Sequence, residues 1–391
     1  MPDRSHPLER LRQAADGRAS AGLRRVLTPR GPGHDGLLDL ASNDYLGLCG
    51  DERLTAGAVE AVRKWGPGST GSRLVTGTTE LHAELEAQLA EFAGAQAALV
   101  FSSGYLANLT VITALVTALA GPAGVLVVSD ARNHASLIDA CRLSRARVVV
   151  TPHRDAGAVR RVLADCGEGA AVVVSDAVFS VDGAVAPVAE LHAAARSHHA
   201  LLVLDEAHSF GVVGPGGRGA AAAAGIAAEP DLIRTVTLSK ALGGQGGAVL
   251  GAADVIGTLV DVGRGFIFDT GLAPPCAGAA LAALRVIAAE PGLGVRARAS
   301  AARLAEIATR AGLRTAPSGA AVLAIVAGEA GQAVRAQRTC ARHGVRAGCF
   351  RPPSVPAGQA CLRLTGRANL AEGDFELAAR ALAAVRDDDG S

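Results

Sequence analysis

Short apolar runs alternate with segments of helical length through the middle of this chain. The runs are, in order, AALVF (97–101), VLVVSD (125–130), VVVT (148–151), VVVSD (172–176), LLVLDE (201–206), IRTVTL (233–238) and, as a further candidate, AVLG (248–251). Strands that are apolar on both faces are typical of a sheet with helices packed on both sides. The alternation therefore predicts an α/β fold built on a mostly parallel sheet.

The sequence on either side of this region has a different character. The first 45 residues are typical of a helical lead-in, and the part after APPC (273–276) combines Ala/Leu/Arg-rich helical patterns with the strand-like runs AVLAIV and CLRLT. A chain of 391 residues is long enough for two globular domains. We expect an N-terminal helical segment at 1–45, a large domain at 46–275 and a smaller C-terminal α+β domain at 276–391.

Composition narrows the classes of function. Hydrophobic residues make up 49% of the chain and its formal net charge is +1, which offers no reason to expect nucleic acid or an anionic membrane as a partner. The seven cysteines are scattered without a C-x-x-C pair, which favours reduced thiols over disulfides or a zinc site. No secretory signal is visible, and no apolar stretch reaches the roughly 20 residues of a membrane span. We expect a cytoplasmic protein without a bound metal.

Polar residues follow several of the predicted strands. They are SSG (102–104), SD (129–130), DEAH (205–208) and SK (239–240). Open parallel sheets bind ligands beyond the carboxyl ends of their strands, so we expect the functional site at this edge. The letters DEAH also occur in helicases, but a helicase requires a lysine-containing phosphate loop, and neither lysine of this chain lies in one.

Lys240 is one of only two lysines among 38 basic residues, and it follows Asp205 by 35 positions. One crossover of that length can bring both side chains to the same edge of the sheet. A lysine amine forms a Schiff base with pyridoxal phosphate, and a carboxylate keeps the pyridine nitrogen protonated. Arginine cannot replace the lysine, because its guanidinium does not readily lose a proton. The spacing alone leaves a surface lysine that caps a helix as the alternative.

Other candidates at this edge have ordinary alternatives. SSG precedes a helical segment, so its N–H groups and hydroxyls, together with Thr237, suit a phosphate, although many strand-to-helix turns contain Ser and Gly. His134 and His208 suit contacts with a flat cofactor ring, although a lone histidine there is more often a helix cap or a loop residue. Arg363 in CLRLT is either an edge charge or a clamp for a carboxylate.

Taken together, these motifs resemble those of the α-oxoamine synthases, pyridoxal phosphate enzymes with the fold type I of aspartate aminotransferase. The motifs occur in the family's order: NDYLGL (43–48), the glycine loop GPGSTGSRLVTGT (66–78), SSGYLAN, RNHASL, VFSVDG (178–183), DEAHSFGVVG, TLSKALGG and LRLT. The resemblance extends from about residue 20 to the C-terminus. It implies a seven-stranded, mostly parallel sheet in the large domain, a pyridoxal 5′-phosphate cofactor, and a homodimer with a shared active site.

The resemblance also implies roles for individual residues. Lys240 is the implied Schiff-base lysine, Asp205 the partner of the pyridine nitrogen, and His134 the ring-stacking residue; these three are the implied catalytic residues. Ser180 and His208 are the implied partners of the phenolic oxygen. The implied phosphate contacts are Gly104, Tyr105 and Thr237, with Thr270 reaching the phosphate of the neighbouring subunit.

The implied substrate contacts are Arg24, Asn43, His134, Ser354 and Arg363, with Arg363 on the substrate carboxylate and Arg25 as the alternative to Arg24. RPPSVP (351–356) is similar to the RPPTVP of family members that join L-alanine to a pimeloyl thioester, carried by CoA or acyl carrier protein. Glycine-using relatives usually have a different sequence before VP. The resemblance therefore implies an acyltransferase that releases CO2 and the free thiol, in biotin biosynthesis.

Two alternatives remain open. One is a sister enzyme that uses glycine and a short acyl-CoA, of the 2-amino-3-ketobutyrate CoA ligase type. The other is a regulatory or binding domain of the same fold with a silent site, against which the joint presence of Lys240, Asp205 and His134 argues.

Overall fold

The computed structural model describes residues 6–31, 36–167 and 169–389. Its strands are β1 (Leu38–Asp39), β2 (Ala97–Phe101), β3 (Val125–Asp130), β4 (Arg147–Thr151), β5 (Ala170–Asp176), β6 (Leu201–Asp205), β7 (Leu232–Thr237), β8 (Gly247–Gly251), β9 (Val322–Gly328), β10 (Val345–Arg346), β11 (Gly348–Phe350) and β12 (Ala360–Thr365). Its α-helices are α1 (Pro7–Ser20), α2 (Glu52–Trp65), α3 (Glu80–Ala93), α4 (Gly104–Leu119), α5 (Ala135–Ser144), α6 (Ala156–Ala164), α7 (Val188–Arg196), α8 (Ala220–Ala223), α9 (Ala253–Val262), α10 (Arg264–Ile267), α11 (Pro274–Ala289), α12 (Leu293–Arg310), α13 (Ala330–Arg342) and α14 (Glu372–Asp389). A 3-10 turn lies at Pro215–Gly217.

The large sheet has seven strands in the order β2-β8-β7-β6-β5-β3-β4. Strand β8 runs antiparallel to both of its neighbours, and the other adjacent pairs are parallel. The prediction of an α/β fold with a mostly parallel, seven-stranded sheet is therefore confirmed. The candidate strand AVLG lies within β8, but its hydrophobic pattern carried no information about its direction.

Side chains of the central strands alternate between two hydrophobic cores. Leu126, Leu202 and Leu204 belong to one core, and Val127 and Val203 belong to the other. Because successive side chains of a strand face opposite sides, each central strand supplies apolar side chains to both cores. Helices α4 and α5 cover one face, and α2, α3 and α11 cover the other.

A second, antiparallel sheet contains β11, β12 and β9, in that order. Its core combines Leu323 and Leu364 of the sheet with Leu304 of α12, Cys340 of α13 and Leu382 of α14. Strand β1 pairs in parallel with β10, so this early part of the chain lies beside the C-terminal elements.

The sequence predicts domains at 1–45, 46–275 and 276–391, and helices α11 and α12 lie at the start of the third. Helix α11, at the start of the expected small domain, packs against α2 and α3 in the core of the large sheet. Helix α12 connects the two cores, because Ala297 belongs to the core of the large sheet and Leu304 to that of the small sheet. We propose that α11 belongs to the large domain and that the small domain begins within α12.

Within residues 6–31, 36–167 and 169–389, no single helix is both long and apolar enough to cross a membrane. Helices α11 and α12 reach the necessary length and apolarity only as a pair, and they are bent by 84° relative to each other.

Candidate active site

The carboxyl edge of the large sheet carries both Asp205 and Lys240. Asp205 ends β6, and Lys240 follows the neighbouring parallel strand β7. The Asp205 side chain is buried; its Oδ2 accepts from Asn108 Nδ2 at 2.7 Å and its Oδ1 from the N–H of Ala207 at 2.8 Å. Asp176 pairs with Asp205 in register between β5 and β6, and both carboxylates act electrostatically on the Lys240 amine.

A chain of hydrogen bonds leads from Lys240 to Arg363. Lys240 Nζ lies 2.8 Å from His208 Nε2, and His208 Nδ1 lies 2.5 Å from the Tyr45 hydroxyl. Tyr45 donates to Asn43 Oδ1 at 3.2 Å, and the same oxygen accepts a short hydrogen bond from Arg363 Nη2. One direction of donation satisfies the whole chain: Lys240 donates to a neutral His208, whose Nδ1–H donates to the Tyr45 oxygen.

Burial sets the protonation of these groups. It lowers the pKa of Lys240 to about 8, against the opposing attraction of Asp205. It lowers the pKa of His208 well below the usual histidine value, with help from the Lys240 charge, and it raises the pKa of Tyr45 to about 12. In each case the charged form loses its hydration. At neutral pH, His208 and Tyr45 are therefore neutral, and Lys240 loses its proton more readily than an exposed lysine.

Asn108 orients the Asp205 carboxylate, although the sequence analysis did not single this residue out. It lies buried in α4, where its Nδ2 also donates to Ser136 Oγ at 2.9 Å and its Oδ1 accepts from Thr235 Oγ1 at 2.7 Å. The available signal was its place in SSGYLAN, one helical turn after α4 begins. Asp205 therefore has a fixed orientation before any ligand binds.

His134 caps helix α5 and lies near the same charges. Its Nδ1 accepts from the N–H of Ser136 at 3.3 Å and lies 2.7 Å from that residue's hydroxyl. Burial lowers the pKa of His134, while Asp205 raises it and Lys240 lowers it. The helix-cap alternative is thus present, and because it uses only Nδ1, it leaves the face of the imidazole ring available for stacking.

Asp176 was also missed, although VVVSD places it at a strand end. It is buried, and its Oδ2 accepts the backbone N–H of His134 at 2.6 Å. Burial and repulsion from Asp205 raise the pKa of Asp176 well above the usual aspartate range. Asp176 therefore fixes the loop that carries His134 without adding a full second negative charge beside Asp205.

A cradle of small groups surrounds the start of α4. A Cβ atom on Gly104 would lie 3.2 Å from Thr237 Cβ, and one on Gly247 would lie 2.5 Å from Gly104 Cα. Ser103 caps the helix by accepting from the N–H of Leu106 at 3.1 Å, and Thr237 Oγ1 lies 2.7 Å from Ser239 Oγ. A helix N-terminus lined with hydroxyls is suited to an anion.

Tyr105 and Thr270 lie at the surface of the single chain. Tyr105 is half exposed, and its hydroxyl donates to Asp139 Oδ2 at 2.6 Å, which raises its pKa. Thr270 is exposed and forms an isolated antiparallel bridge with Ser72 of the glycine loop. Tyr105 is adjacent to the cradle in sequence, whereas Thr270 makes no contact with the Lys240 chain among the described residues.

Arg363 is buried in β12 of the small sheet and faces the large sheet. Its Nη1 donates to the Ser180 carbonyl at 3.0 Å, and its guanidinium carbon lies 4.9 Å from the centre of the Phe350 ring. Among the described residues, its Nε has no hydrogen-bond partner. A buried guanidinium with an unsatisfied donor is suited to a carboxylate ligand.

A cavity of about 710 Å³ lies between the strand-end loops of the large sheet and the small sheet. Ser180 and Ser354 both line it, so these two predicted residues share one cavity. Most of the remaining lining is apolar, including Ile138, Phe179 and Val326. The cavity is large enough to hold an extended acyl chain.

Arg24 and Arg25 lie outside this cavity. Both are exposed and line a separate hollow against α1. The Arg24 carbonyl accepts from Arg351 Nη2 at 3.5 Å, and the Gly22 carbonyl accepts a short bond from Arg351 Nη1. The structure thus ties the RPPSVP segment to the N-terminal arm through backbone carbonyls, and neither arginine side chain reaches the Lys240 chain.

A buried ion pair supports the site from behind. Glu206, the residue after Asp205, lies 3.7 Å from Arg234 of β7, and both side chains are almost completely buried. Arg234 also donates to the carbonyl of Ala93, and Glu206 accepts from the N–H of Ala221. The two acidic residues of the DEAH motif therefore have different roles: Asp205 lies at the sheet edge, and Glu206 pairs with Arg234 in the interior.

Known proteins are similar to this chain in sequence and in fold. The 8-amino-7-oxononanoate synthase of Mycolicibacterium vanbaalenii is 56% identical over 380 residues, 97% of each chain. The structure of S. paucimobilis serine palmitoyltransferase with a bound PLP-myriocin aldimine has a TM-score of 0.90 at 28% identity, covering 99% of this chain and 100% of that one. The 8-amino-7-oxononanoate synthase of Francisella tularensis has a TM-score of 0.76 at 26% identity, covering 91% and 99%.

The family assignment rests on a match that spans both sheets. The model of the aminotransferase class I and II family covers residues 35–382, from the residues just before β1 into the last helix. The chain therefore belongs to the aminotransferase class I and II family.

Proposed function

We propose that this chain condenses L-alanine with a pimeloyl thioester, carried by CoA or acyl carrier protein, and releases CO2 and the thiol to form 8-amino-7-oxononanoate. The observation that carries the proposal is the buried Lys240 amine beside Asp205, in a chain 56% identical to an 8-amino-7-oxononanoate synthase over nearly its full length. We further propose that it acts in the cytoplasm as a homodimer, with Thr270 serving the site of the partner subunit.

Pyridoxal phosphate fits the residues at this edge. The start of α4 is suited to a phosphate, because Gly104 opens the helix next to Thr237 and the Thr237 and Ser239 hydroxyls lie 2.7 Å from each other. Asp205 offers a buried carboxylate to a protonated ring nitrogen, His134 offers a ring face, and Lys240 offers an amine to the aldehyde. When bound, the cofactor supplies an electron sink for a carbanion at the amino acid Cα.

Lys240 is suited to act both as the amine that holds the cofactor and as a base. Its pKa of about 8 leaves a sizeable neutral fraction near neutral pH, whereas an exposed lysine is almost fully protonated there. Asp205, and to a smaller extent Asp176, keeps the pKa from falling further. A proton taken from alanine Cα by this amine would remain close to the two acids.

His208 and Tyr45 can reverse their hydrogen bonds when Lys240 no longer donates. In its other neutral tautomer, His208 would accept from the Tyr45 hydroxyl at Nδ1, and its Nε2–H would be available to donate to the phenolic oxygen of a bound cofactor. Ser180, whose carbonyl is held by Arg363, is proposed as the second partner of that oxygen. Both neutral groups change their direction of donation without acquiring charge.

Arg363 and Asn43 are proposed to hold the carboxylate of the incoming alanine. The buried Arg363 Nε has no hydrogen-bond partner among the described residues. Asn43 Oδ1 already accepts from Arg363 and Tyr45, so its side-chain N–H groups are the ones that would donate to the carboxylate. Fixing the carboxylate orients the amino acid, because two donors define its plane. Ser354 lines the cavity for the acyl chain, and Arg24 is proposed as a substrate contact on the resemblance alone.

The proposal is tested by product formation with the purified holoenzyme. L-Alanine with pimeloyl-CoA should yield free thiol and 8-amino-7-oxononanoate by mass spectrometry, and Lys240→Ala should abolish both, whereas Lys64→Ala should not. Because the serine palmitoyltransferase fold is also close, serine with palmitoyl-CoA and glycine with acetyl-CoA are the comparison reactions. Preferred turnover of either comparison pair would contradict the proposal.

A further inference from the structure

The charged residues among those lining the 710 Å³ cavity are Arg132 and Asp182. Arg132 Nη1 lies 3.5 Å from Asp182 Oδ2. The Arg132 side chain is 52% exposed and that of Asp182 is 21% exposed, so the pair lies at the mouth. Among the described residues, Asp182 is the only side chain that pairs with the Arg132 guanidinium, which has five N–H donors. Donors therefore remain for a ligand.

We propose that Arg132 binds the terminal carboxylate of the acyl chain and thereby selects acyl thioesters derived from a dicarboxylic acid. The inference rests on the proposed function, because 8-amino-7-oxononanoate carries its carboxylate at the end of the acyl part, away from the amino ketone. An acyl group of this kind needs an apolar channel that ends in a positive charge.

The cavity has that arrangement. Ile138, Phe179, Val181 and Val326 provide apolar walls for the methylene groups, and Arg132 provides the positive charge. Arg132 precedes His134 by two residues in the loop after β3, so the two ends of the chain would contact one short segment. The distance between Arg132 and the reacting end of the site would therefore select acyl chains of a particular length.

The loop that carries Arg132 is fixed. The N–H of Arg132 donates to Asp130 Oδ1 at 2.7 Å, and Asp130 Oδ2 accepts from the N–H of Arg154 at 2.6 Å. Asp182 is held in turn, since its Oδ1 accepts from the N–H of Ala184 at 3.0 Å. The backbone is thus constrained at both sides of the mouth, and Asp182 keeps the guanidinium there before substrate binds.

A contact between Arg132 and the thiol carrier is the competing interpretation, since CoA carries phosphates. The two interpretations predict different effects of the carboxylate at the end of the acyl chain. A carboxylate subsite distinguishes pimeloyl-CoA from heptanoyl-CoA, which has the same chain without the second carboxylate. A carrier contact affects both thioesters alike.

The test compares kcat/KM for pimeloyl-CoA and heptanoyl-CoA in the holoenzyme. Arg132→Gln should lower the pimeloyl-to-heptanoyl ratio about tenfold, the effect of one charge-assisted contact at a half-exposed site. Arg132→Lys should recover part of the ratio, because it keeps the charge and loses the paired donors. Arg160→Gln, an exposed arginine on α6, serves as the matched control.

Two results would overturn the inference: an unchanged ratio in Arg132→Gln, or an equal loss with both thioesters. Binding calorimetry of the two thioesters without amino acid gives a readout that does not depend on turnover. If pimeloyl-CoA bound through Arg132 but alanine gave no product, the proposed function would fail and the carboxylate subsite would stand. Equal affinity of the parent and Arg132→Gln for pimeloyl-CoA would remove the subsite whatever the turnover.

Discussion

Lys240 Nζ and His208 Nε2 lie 2.8 Å apart, and burial together with the Lys240 charge lowers the pKa of His208. Two positive charges at that distance would repel each other strongly in a site with little water. The arrangement therefore holds one proton donor and one neutral acceptor. Burial makes even the single Lys240 charge costly, which has a measurable consequence for stability.

Replacing Lys240 with methionine should stabilise the cofactor-free protein at pH 7. The folded-state pKa of Lys240 is about 8, below its ordinary value of 10.5, so between these values the unfolded chain binds more protons. Parent stability should therefore rise with pH across that window, and the advantage of Lys240→Met, up to about 3 kcal/mol below pH 8, should disappear toward pH 10.5. Urea unfolding at several pH values measures this difference.

Lys64→Met is the control for that experiment, because Lys64 is largely exposed. Its effect on the free energy of unfolding at pH 7 should be small. A pH-independent difference between Lys240→Met and the parent would contradict the burial argument.

Asn108→Leu should weaken the cofactor site while keeping the volume of the side chain. Asp205 Oδ2 loses its 2.7 Å donor, so its carboxylate is less well oriented toward the ring nitrogen. We expect a loss of about tenfold or more in kcat or cofactor affinity, together with a shift in the pH titration of the bound cofactor's absorbance. Thr235→Val, which removes only the hydroxyl that bonds Asn108 Oδ1, should have a smaller effect. Normal titration in Asn108→Leu would remove Asn108 from its positioning role.

Gly247→Ala should disrupt the phosphate cradle. The new Cβ would lie 2.5 Å from Cα and N of Gly104, both backbone atoms that cannot rotate away. We expect a loss of about 1–3 kcal/mol in stability and weaker cofactor binding, because α4 must shift. Gly257→Ala, on α9 with open space around it, should instead stabilise by about 1 kcal/mol. Thermal unfolding with and without cofactor tests both variants, and equal behaviour of the two would be inconsistent with the cradle.

Glu206→Leu should destabilise the chain by about 3–5 kcal/mol, because Arg234 would remain buried without its carboxylate. Burial and Glu206 act in opposite directions on the pKa of Arg234, and burial is the larger influence. Glu372→Gln breaks an exposed pair with Arg303 and should have a much smaller effect on the free energy of unfolding. Chemical denaturation compares the two, and a small effect of Glu206→Leu would show that Arg234 finds other partners.

The strands and the edge that carries the polar residues could be predicted from the sequence, because apolar runs, helix-length connections and strand-end positions are local properties. Lys240 and Asp205 could be selected for the same reason, since their chemistry and spacing are written in the chain. The antiparallel direction of β8 could not be predicted, because an apolar strand reads alike in both directions. Arg24 is exposed outside the cavity, and motif similarity alone carries no information about that position.

The sequence by itself determined which chemical groups are present and which secondary structures carry them. Only the tertiary structure decided their protonation and their partners. Tyr45 and His208 are 163 positions apart but lie 2.5 Å from each other, and Asn108 meets Asp205 across 97 positions. The low pKa values of Lys240 and His208 arise from burial and from neighbouring charges, which exist only once distant segments have packed together.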